Sequence, residues 1–314
     1  MQPVNEIAKI LSAAGHDASR VGVRHDLRWL PKARAADLIF NLCEGINGIG
    51  KWEDLVVSTM ELAGVPFTGA SAWVITVCHH KGLMNSFLQA AGLPVPRWVV
   101  PRDRTIPDDF PLPAIVKPAA EDASNGIEQH SVVTTRPALM RRVAQLSETY
   151  DEVIVQEYVD GREFAVGFVG DTTLPVSEID FGKMPEGAWR ILTFSAKWEK
   201  GSVDDIGTRP VCPAPIGKEL DKRLVTTAKA AWQLVGGTGY GRVDLRVDRA
   251  GRPWILEVNP NPDISDDAGL SAMADARGWT YPELVMRIFD GARAAAERRR
   301  SVEGLAATPA RATA

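Results

Sequence analysis

Two short stretches near the C-terminal end, Gly241–Leu245 and Ile255–Pro262, constrain this chain more than any other feature. Both alternate polar and apolar residues, the two-residue period of a half-buried strand. Gly251 and Pro253 supply a turn within Asp248–Pro253. Arg242 and Asp244 then share one face of the first strand, and Glu257 and Asn259 one face of the second. If Asp244 pairs with Glu257, all four polar groups line one side of a hairpin. Val243, Leu245, Val247, Trp254, Leu256 and Val258 line the other. Two carboxylates, a carboxamide and a guanidinium on one face suit a hard cation with oxygen ligands and a phosphate. The same alternation also describes the solvated face of an ordinary hairpin. Against that, Asn259 runs directly into Pro260-Asn261-Pro262, a stiff loop that begins where the polar face ends.

Composition narrows the classes. A chain of 314 residues that is 45% hydrophobic can bury two or three cores. A net charge of −4 gives no reason to expect a nucleic-acid partner. No apolar run approaches the ~20 residues of a membrane span, and Met1–Asn5 lacks the basic and apolar regions of a signal peptide. Cys43, Cys78 and Cys212 are odd in number and scattered, against a disulfide framework or a zinc site. Of the five histidines only His79 and His80 adjoin, so no histidine-rich metal centre is expected. These features predict a cytoplasmic protein.

Along the chain, Val4, Ile7, Ile10, Leu11 and Ala14 follow helical spacing up to Gly15. Ala18–Val23 and Asp37–Leu42 read as short strands, and Thr59–Ala63 lies in a helix closed by Gly64. This is the rhythm of a small parallel α/β unit, except that it opens on a helix. Lys81–Ala91 is helical in pattern. Ala114–Lys117 and Val153–Gln156 read as strands enclosing a helix from about Pro137 to Glu148. Glu163–Val169 is expected to pair with Val153–Gln156 across Asp160-Gly161. Leu220, Leu224, Ala228, Ala231 and Leu234 mark an amphipathic helix ending at Gly236-Gly237. Thr280 and Glu283 form a capping box for a last helix. Residues 297–314 read as a disordered tail.

Several segments carry chemistry of modest specificity. Gly45–Lys51 has the spacing of a phosphate-binding loop, but Trp52 stands where a magnesium-liganding hydroxyl belongs, and that reading is rejected. Lys117 ends an apolar strand and precedes a small, flexible loop whose Ser124 and backbone N–H groups up to Gly126 suit phosphates; a strand-end lysine also snorkels to solvent. Glu157-Tyr158-Val159 can offer an apolar slot and backbone groups to a planar base, and Glu163 a carboxylate to ribose. As a plain hairpin the same segment needs no explanation. Lys197 reaches a phosphate from a loop or is an ordinary surface lysine.

Taken in order, these pieces resemble the ATP-grasp superfamily and, within it, the D-alanine–D-alanine ligase-like carboxylate–amine ligases. The order is Lys81 before a helix, Lys117–Gly126, a hinge ending in Glu163, Lys197, Arg242-Val243-Asp244 and Glu257-Val258-Asn259. Asn41–Gly45, Gly64–Gly69 and Ala91–Pro96 also look like that family's N-terminal half, and the likeness runs from about Ala36 to Ala292. It implies an α/β fold of the α+β ATP-grasp kind. An N-terminal parallel α/β subdomain lacking its usual first strand (1–75) precedes two ATP-grasp subdomains (76–160 and 161–296) that clasp ATP.

The resemblance also assigns roles. Lys81 and Lys117 contact phosphates with Ser124 and Gly126, Glu157, Tyr158 and Val159 hold adenine, and Glu163 takes the ribose. Lys197 comes down from a lid. Asp244, Glu257 and Asn259 bind two magnesium ions, with manganese as a substitute. A substrate carboxylate attacks the γ-phosphate to give an acyl phosphate, and an amine displaces phosphate. Arg242 stabilises the oxyanion, with Lys197 and Ser124 as further catalytic groups. On the amino-acid side the chain departs from the family. Ala123 stands where the small loop has a serine, His80 and Asp263 replace an acid and a glycine, and the first-turn glutamate has no counterpart. The expectation is therefore an ATP- and magnesium-dependent ligase acting on an amino acid or small peptide. The alternatives are a D-alanine–D-alanine ligase proper or an ATP-binding regulator without catalysis. An uncovered N-terminal sheet edge would call for a homodimer contact.

Overall fold

The computed structural model describes residues 2–102 and 105–306. Its first part is helical: α1 (Gln2–Ala13), α2 (Leu30–Arg34), α3 (Glu53–Leu62), α4 (Ala72–His79) and α5 (Lys81–Ala90). Then come β1 (Trp98–Val99), β2 (Ala114–Pro118), β3 (Val132–Val133), α6 (Arg136–Leu146) and β4 (Val153–Glu157). The next stretch holds β5 (Gly161–Val169), β6 (Thr172–Thr173), β7 (Ser177–Asp180), α7 (Phe194–Trp198), α8 (Val203–Gly207) and β8 (Arg209–Val211). Last are α9 (Lys218–Leu234), β9 (Tyr240–Asp248), β10 (Pro253–Asn259), α10 (Gly269–Ala276) and α11 (Tyr281–Ala306).

The strands form two antiparallel sheets. The smaller has the order β1-β4-β2-β3, and α6 covers it through Leu139, Val143 and Leu146 against Val116, Val153 and Val155. The larger runs β10-β9-β5-β7-β8, with β6 beside β5. Alternation along β5 sends its side chains to two cores. Phe164, Val166 and Phe168 join Val243, Leu245 and Val247 under α9, whose Leu224, Ala228 and Ala231 are fully buried at the spacing of one helix face. Ala165 and Val169 face the opposite core, with Leu270, Met273, Leu284 and Ile288 and with Ile7 and Leu11 of α1. Trp232 stacks on Phe168 with centroids 5.7 Å apart. Burying an aromatic of this kind contributes about 3–5 kcal/mol. Its ring occupies the space a Cβ on Gly237 or Gly241 would need, which is why glycine opens β9's polar run.

Four sequence expectations are corrected. Glu163–Val169 does not pair with Val153–Gln156: β4 lies between β1 and β2, and β5 lies between β9 and β7. The three residues between them carry the chain from one sheet to the other, and Tyr158 N–H bonds Pro113 O at 3.0 Å. A nine-residue register with β9 outcompetes a short hairpin. Second, the hairpin has its expected register, Glu257 opposite Asp244, but reaches it through a bulge between Ile255 and Glu257. The extra residue flips the outer part of β10, so Ile255 is buried while Trp254 and Leu256 are half-buried.

Third, among the described residues Ala18–Val23 is not a strand, and Asp37–Leu42 contributes one parallel bridge, Ile39 to Phe67. Neither segment has a full neighbouring strand to satisfy its backbone, and the sheet edge that called for a dimer does not exist there. Fourth, α11 continues through Arg298–Arg300 to Ala306, so the expected disorder from 297 does not hold to that point; residues 307–314 lie outside the described residues. The capping box at its start is present: Glu283 Oε2 accepts from Thr280 N–H at 2.7 Å, and Thr280 Oγ1 from Glu283 N–H at 3.4 Å. No described helix is long and apolar enough to cross a membrane.

Candidate active site

The polar face of β9 and β10 forms one wall of a charged cleft between the two sheets. Arg242 forks onto Asp244, Nε to Oδ1 at 2.7 Å and Nη2 to Oδ2 at 2.9 Å. Burial works against the Arg242 charge, but Asp244 outweighs it and holds the guanidinium protonated. Asn259 lies opposite Arg242, and its Oδ1 accepts from Asn261 N–H at 2.9 Å. Glu257 meets Lys81, the first residue of α5, at 3.0 Å. Lys81 also reaches Glu121 O at 2.5 Å and Asp122 at 3.3 Å. Burial alone would push the Glu257 carboxyl up; Lys81, Lys117 and Lys197 overcome that and hold it well below the usual carboxylate range.

Lys117 projects from β2 and is buried. Burial first, and Lys81 second, pull it from 10.5 down to about 8. Lys197, in α7, is exposed at the cleft mouth, yet the surrounding protein and then Arg242 lower its pKa. Lys81, Arg242 and Arg246 are raised, because carboxylates answer them. Lys117 and Lys197 are lowered, because the protein leaves their charge undercompensated. That difference is the electrostatic signature of a site for an anionic group.

The hinge between the sheets has an organiser that sequence reasoning missed. Arg246, 3% exposed, donates from Nη2 to Glu163 Oε2 at 2.9 Å and from Nη1 to Val159 O at 2.9 Å. It also bonds Arg190 O and lies 5.0 Å over the Tyr158 ring. The signal was available, since Arg246 continues the two-residue period of Arg242 and Asp244. Glu157 turns its carboxylate toward Arg97 N–H at 3.4 Å, and its own N–H bonds Arg97 O at 2.7 Å.

The small loop after β2 is tightly wound. Ala123, Ser124 and Gly126 all have positive φ, and a Cβ on Gly126 would press on Pro118 and Tyr150. The segment bearing Lys197 is fastened across it. Trp198 Nε1 donates to Ala123 O at 3.0 Å, Phe194 N–H to Ile127 O at 2.9 Å, and Trp189 N–H to Gln129 Oε1 at 2.8 Å. No sequence pattern announces these contacts. Glu257 acts on Lys81, Lys117, Lys197 and Arg242, Glu163 on Lys117, Lys197 and Arg242, and Asp244 on Lys197 and Arg242, which draws these charges into one cleft. Lys51 of the rejected phosphate loop pairs with Asp151 at the surface.

A family model described as "D-ala D-ala ligase C-terminus" matches residues 87–290. The uncharacterized protein y4sG of Sinorhizobium fredii is 32% identical over 83% of this chain and 76% of its own. A D-alanine–D-alanine ligase of Gluconobacter oxydans is 32% identical over 87% of this chain and 88% of its own, and one of Chromohalobacter salexigens 31% over 82% and 76%. The crystal structure of D-alanine–D-alanine ligase from Bacillus anthracis complexed with ATP superposes with a TM-score of 0.77. It covers 95% of this chain and 93% of its own at 20% identity, a likeness of fold.

Proposed function

This chain belongs to the D-ala D-ala ligase family and is an ATP-dependent ligase that joins a carboxylate to an amine; on that premise we propose that its carboxylate substrate is an amino acid or small peptide, activated as an acyl phosphate. The observation that carries this reading is the undercompensated pair Lys117 and Lys197 beside Asp244 and Glu257. In it, Lys81, Lys117 and Lys197 meet the phosphates of ATP together with Ser124 and the backbone up to Gly126. The backbone of Glu157–Val159 meets adenine, and Glu163, oriented by Arg246, meets the ribose. The substrate carboxylate attacks the γ-phosphorus and ADP leaves; the amine then attacks the carbonyl carbon and phosphate leaves. Arg242 stabilises the oxyanion, a contribution on the order of 10²–10³ in rate for one such donor.

Asp244, Glu257 and Asn259 suit magnesium by the chemistry of the donor set. Two carboxylates and a carboxamide are too few to close a shell, and magnesium is an ion that keeps phosphate oxygens and water as ligands. One or two such ions, with manganese as a substitute, would supply shielding of phosphate charge. We keep three functional units, 1–75, 76–160 and 161–296, the second break falling where the chain passes from one sheet to the other. We assign the enzyme to the cytoplasm, where ATP is supplied.

D-alanine is the second substrate reading, favoured by the activity named for the bacterial relatives. Phosphate release from ATP and magnesium, measured with D-alanine and with a panel of other amino acids and dipeptides, tests both. Turnover with D-alanine alone supports the second, and turnover with another pair the first. ATP binding without phosphate release from any carboxylate would leave a regulator in their place.

A further inference from the structure

Next to the phosphate cleft, the loop leaving β10 ties a second polar cluster together. The Asn261 amide donates to Glu53 Oε1 at 3.1 Å and to Cys43 O at 3.2 Å, and its oxygen accepts from Tyr240 OH at 2.7 Å. This knot brings Glu53 on α3, Glu44 beside Cys43, and Asp263 two residues beyond Asn261 into one place. Asp122, from the small loop, adds a fourth carboxylate. Glu44 and Asp263 are exposed at the rim, and Glu53 is 6% exposed beneath them.

The chain supplies little positive charge to this cluster. Lys81 answers Asp122 and Glu257. The charges that act on Glu44 are Asp263 and Asp122; those on Glu53 are Asp122, Glu44 and Asp54. Burial, and then this crowding of carboxylates, pushes Glu53 up to about 8. His79 is an independent sign of a missing partner. It is 7% exposed, its Nε2 has no hydrogen bond, and it faces Asp122 from 3.5 Å. Buried polar atoms are rarely left so, and each such atom calls for an explanation. These carboxylates come from α3, the loop before it, the loop after β2 and the loop leaving β10, and no three of them close into a single tight ligand set. Acids spread over several segments suit an extended organic cation instead.

We propose that Glu44, Glu53, Asp122 and Asp263 receive the amine substrate, and that this substrate carries a second positive charge, as a diamine or a basic amino acid does. The inference rests on the ligase reading for the ligand's role as nucleophile. Lys81 already answers Asp122, so a single ammonium leaves one of the rim carboxylates Glu44 and Asp263 unanswered, while two ammonium groups match both. Lys81 bridges Asp122 to Glu257, so an amine against Asp122 lies one side chain from the phosphate site.

Calorimetric titration of the full chain with 1,5-diaminopentane, 1-aminopentane, L-lysine and L-norleucine tests this. In each pair we expect the ligand with two ammonium groups to bind on the order of tenfold tighter than the one with a single ammonium. Glu44→Gln and Asp263→Asn, both at the surface, should each remove most of that preference while ATP affinity stays the same. Equal affinity within each pair, no effect of either variant, or displacement of the diamine by equimolar magnesium would overturn the proposal. Diamine preference without any ATP binding by the wild type would instead overturn the ligase reading and with it the ligand's role as nucleophile, while the diamine site itself stands.

Discussion

Lys117 is predicted to destabilise the protein it serves. Its ammonium is buried and crowded by Lys81, and its pKa falls from 10.5 to about 8. Between folded and unfolded states that drop corresponds to about 3 kcal/mol of stability lost at neutral pH. Below about pH 8 the lysine is charged in both states and the full cost applies. Between about 8 and 10.5 the folded protein releases the proton first, the unfolded chain binds more protons, and stability rises with pH. Above 10.5 both states are neutral and the cost is gone. Lys117→Met, which keeps the length and removes the charge, should therefore raise the unfolding free energy by about 1–3 kcal/mol at pH 7. The advantage should shrink steadily toward pH 10.5. Urea unfolding of both proteins in a chelator, without nucleotide, at intervals from pH 7 to 10 measures it; titrations common to the two cancel in the difference. With saturating ATP and magnesium the variant's advantage should shrink by about 2.7 kcal/mol at a hundredfold excess over Kd, since only the wild type gains that ligand stabilisation. A variant less stable than wild type at pH 7, or a gap that does not change with pH, would refute the reasoning.

Other perturbations separate structural from chemical roles. Arg242→Ala should bind ATP normally and lose on the order of 10²–10³ in turnover, read by nucleotide titration beside a phosphate-release assay. Arg246→Met should cost about 3–5 kcal/mol in urea unfolding, because it strands Glu163 in a buried site; pairing it with Glu163→Gln should recover part of the loss. Thr280→Ala should cost about 1 kcal/mol by removing the cap of α11, with no change in ATP affinity.

Much of the site was legible because its chemistry follows short periods. Arg242, Asp244, Glu257 and Asn259 alternate with core residues, and the requirement that one face be buried sets the pairing of Asp244 with Glu257. Arg246 obeys the same period and was overlooked; its partners, Glu163 and Val159 O, lie far off in sequence. The bulge before Glu257 was invisible because an inserted residue leaves the composition of a strand unchanged. The fate of Glu163–Val169 was misjudged because adjacency favours a hairpin, while β9 offers the longer register and the apolar face under α9.

By itself, then, the sequence determined the longer helices, the central strands, the polar face and the order of lysines and acids that marks this family, since each depends on spacing within a few residues. Only the tertiary structure decided how β4 and β5 divide between two sheets, and how Trp198 fastens the Lys197 segment to Ala123. It alone brought Glu44, Glu53, Asp122 and Asp263 around Asn261. Those outcomes depend on which distant surfaces bury one another and which charges are left without an answer, and no local period encodes either.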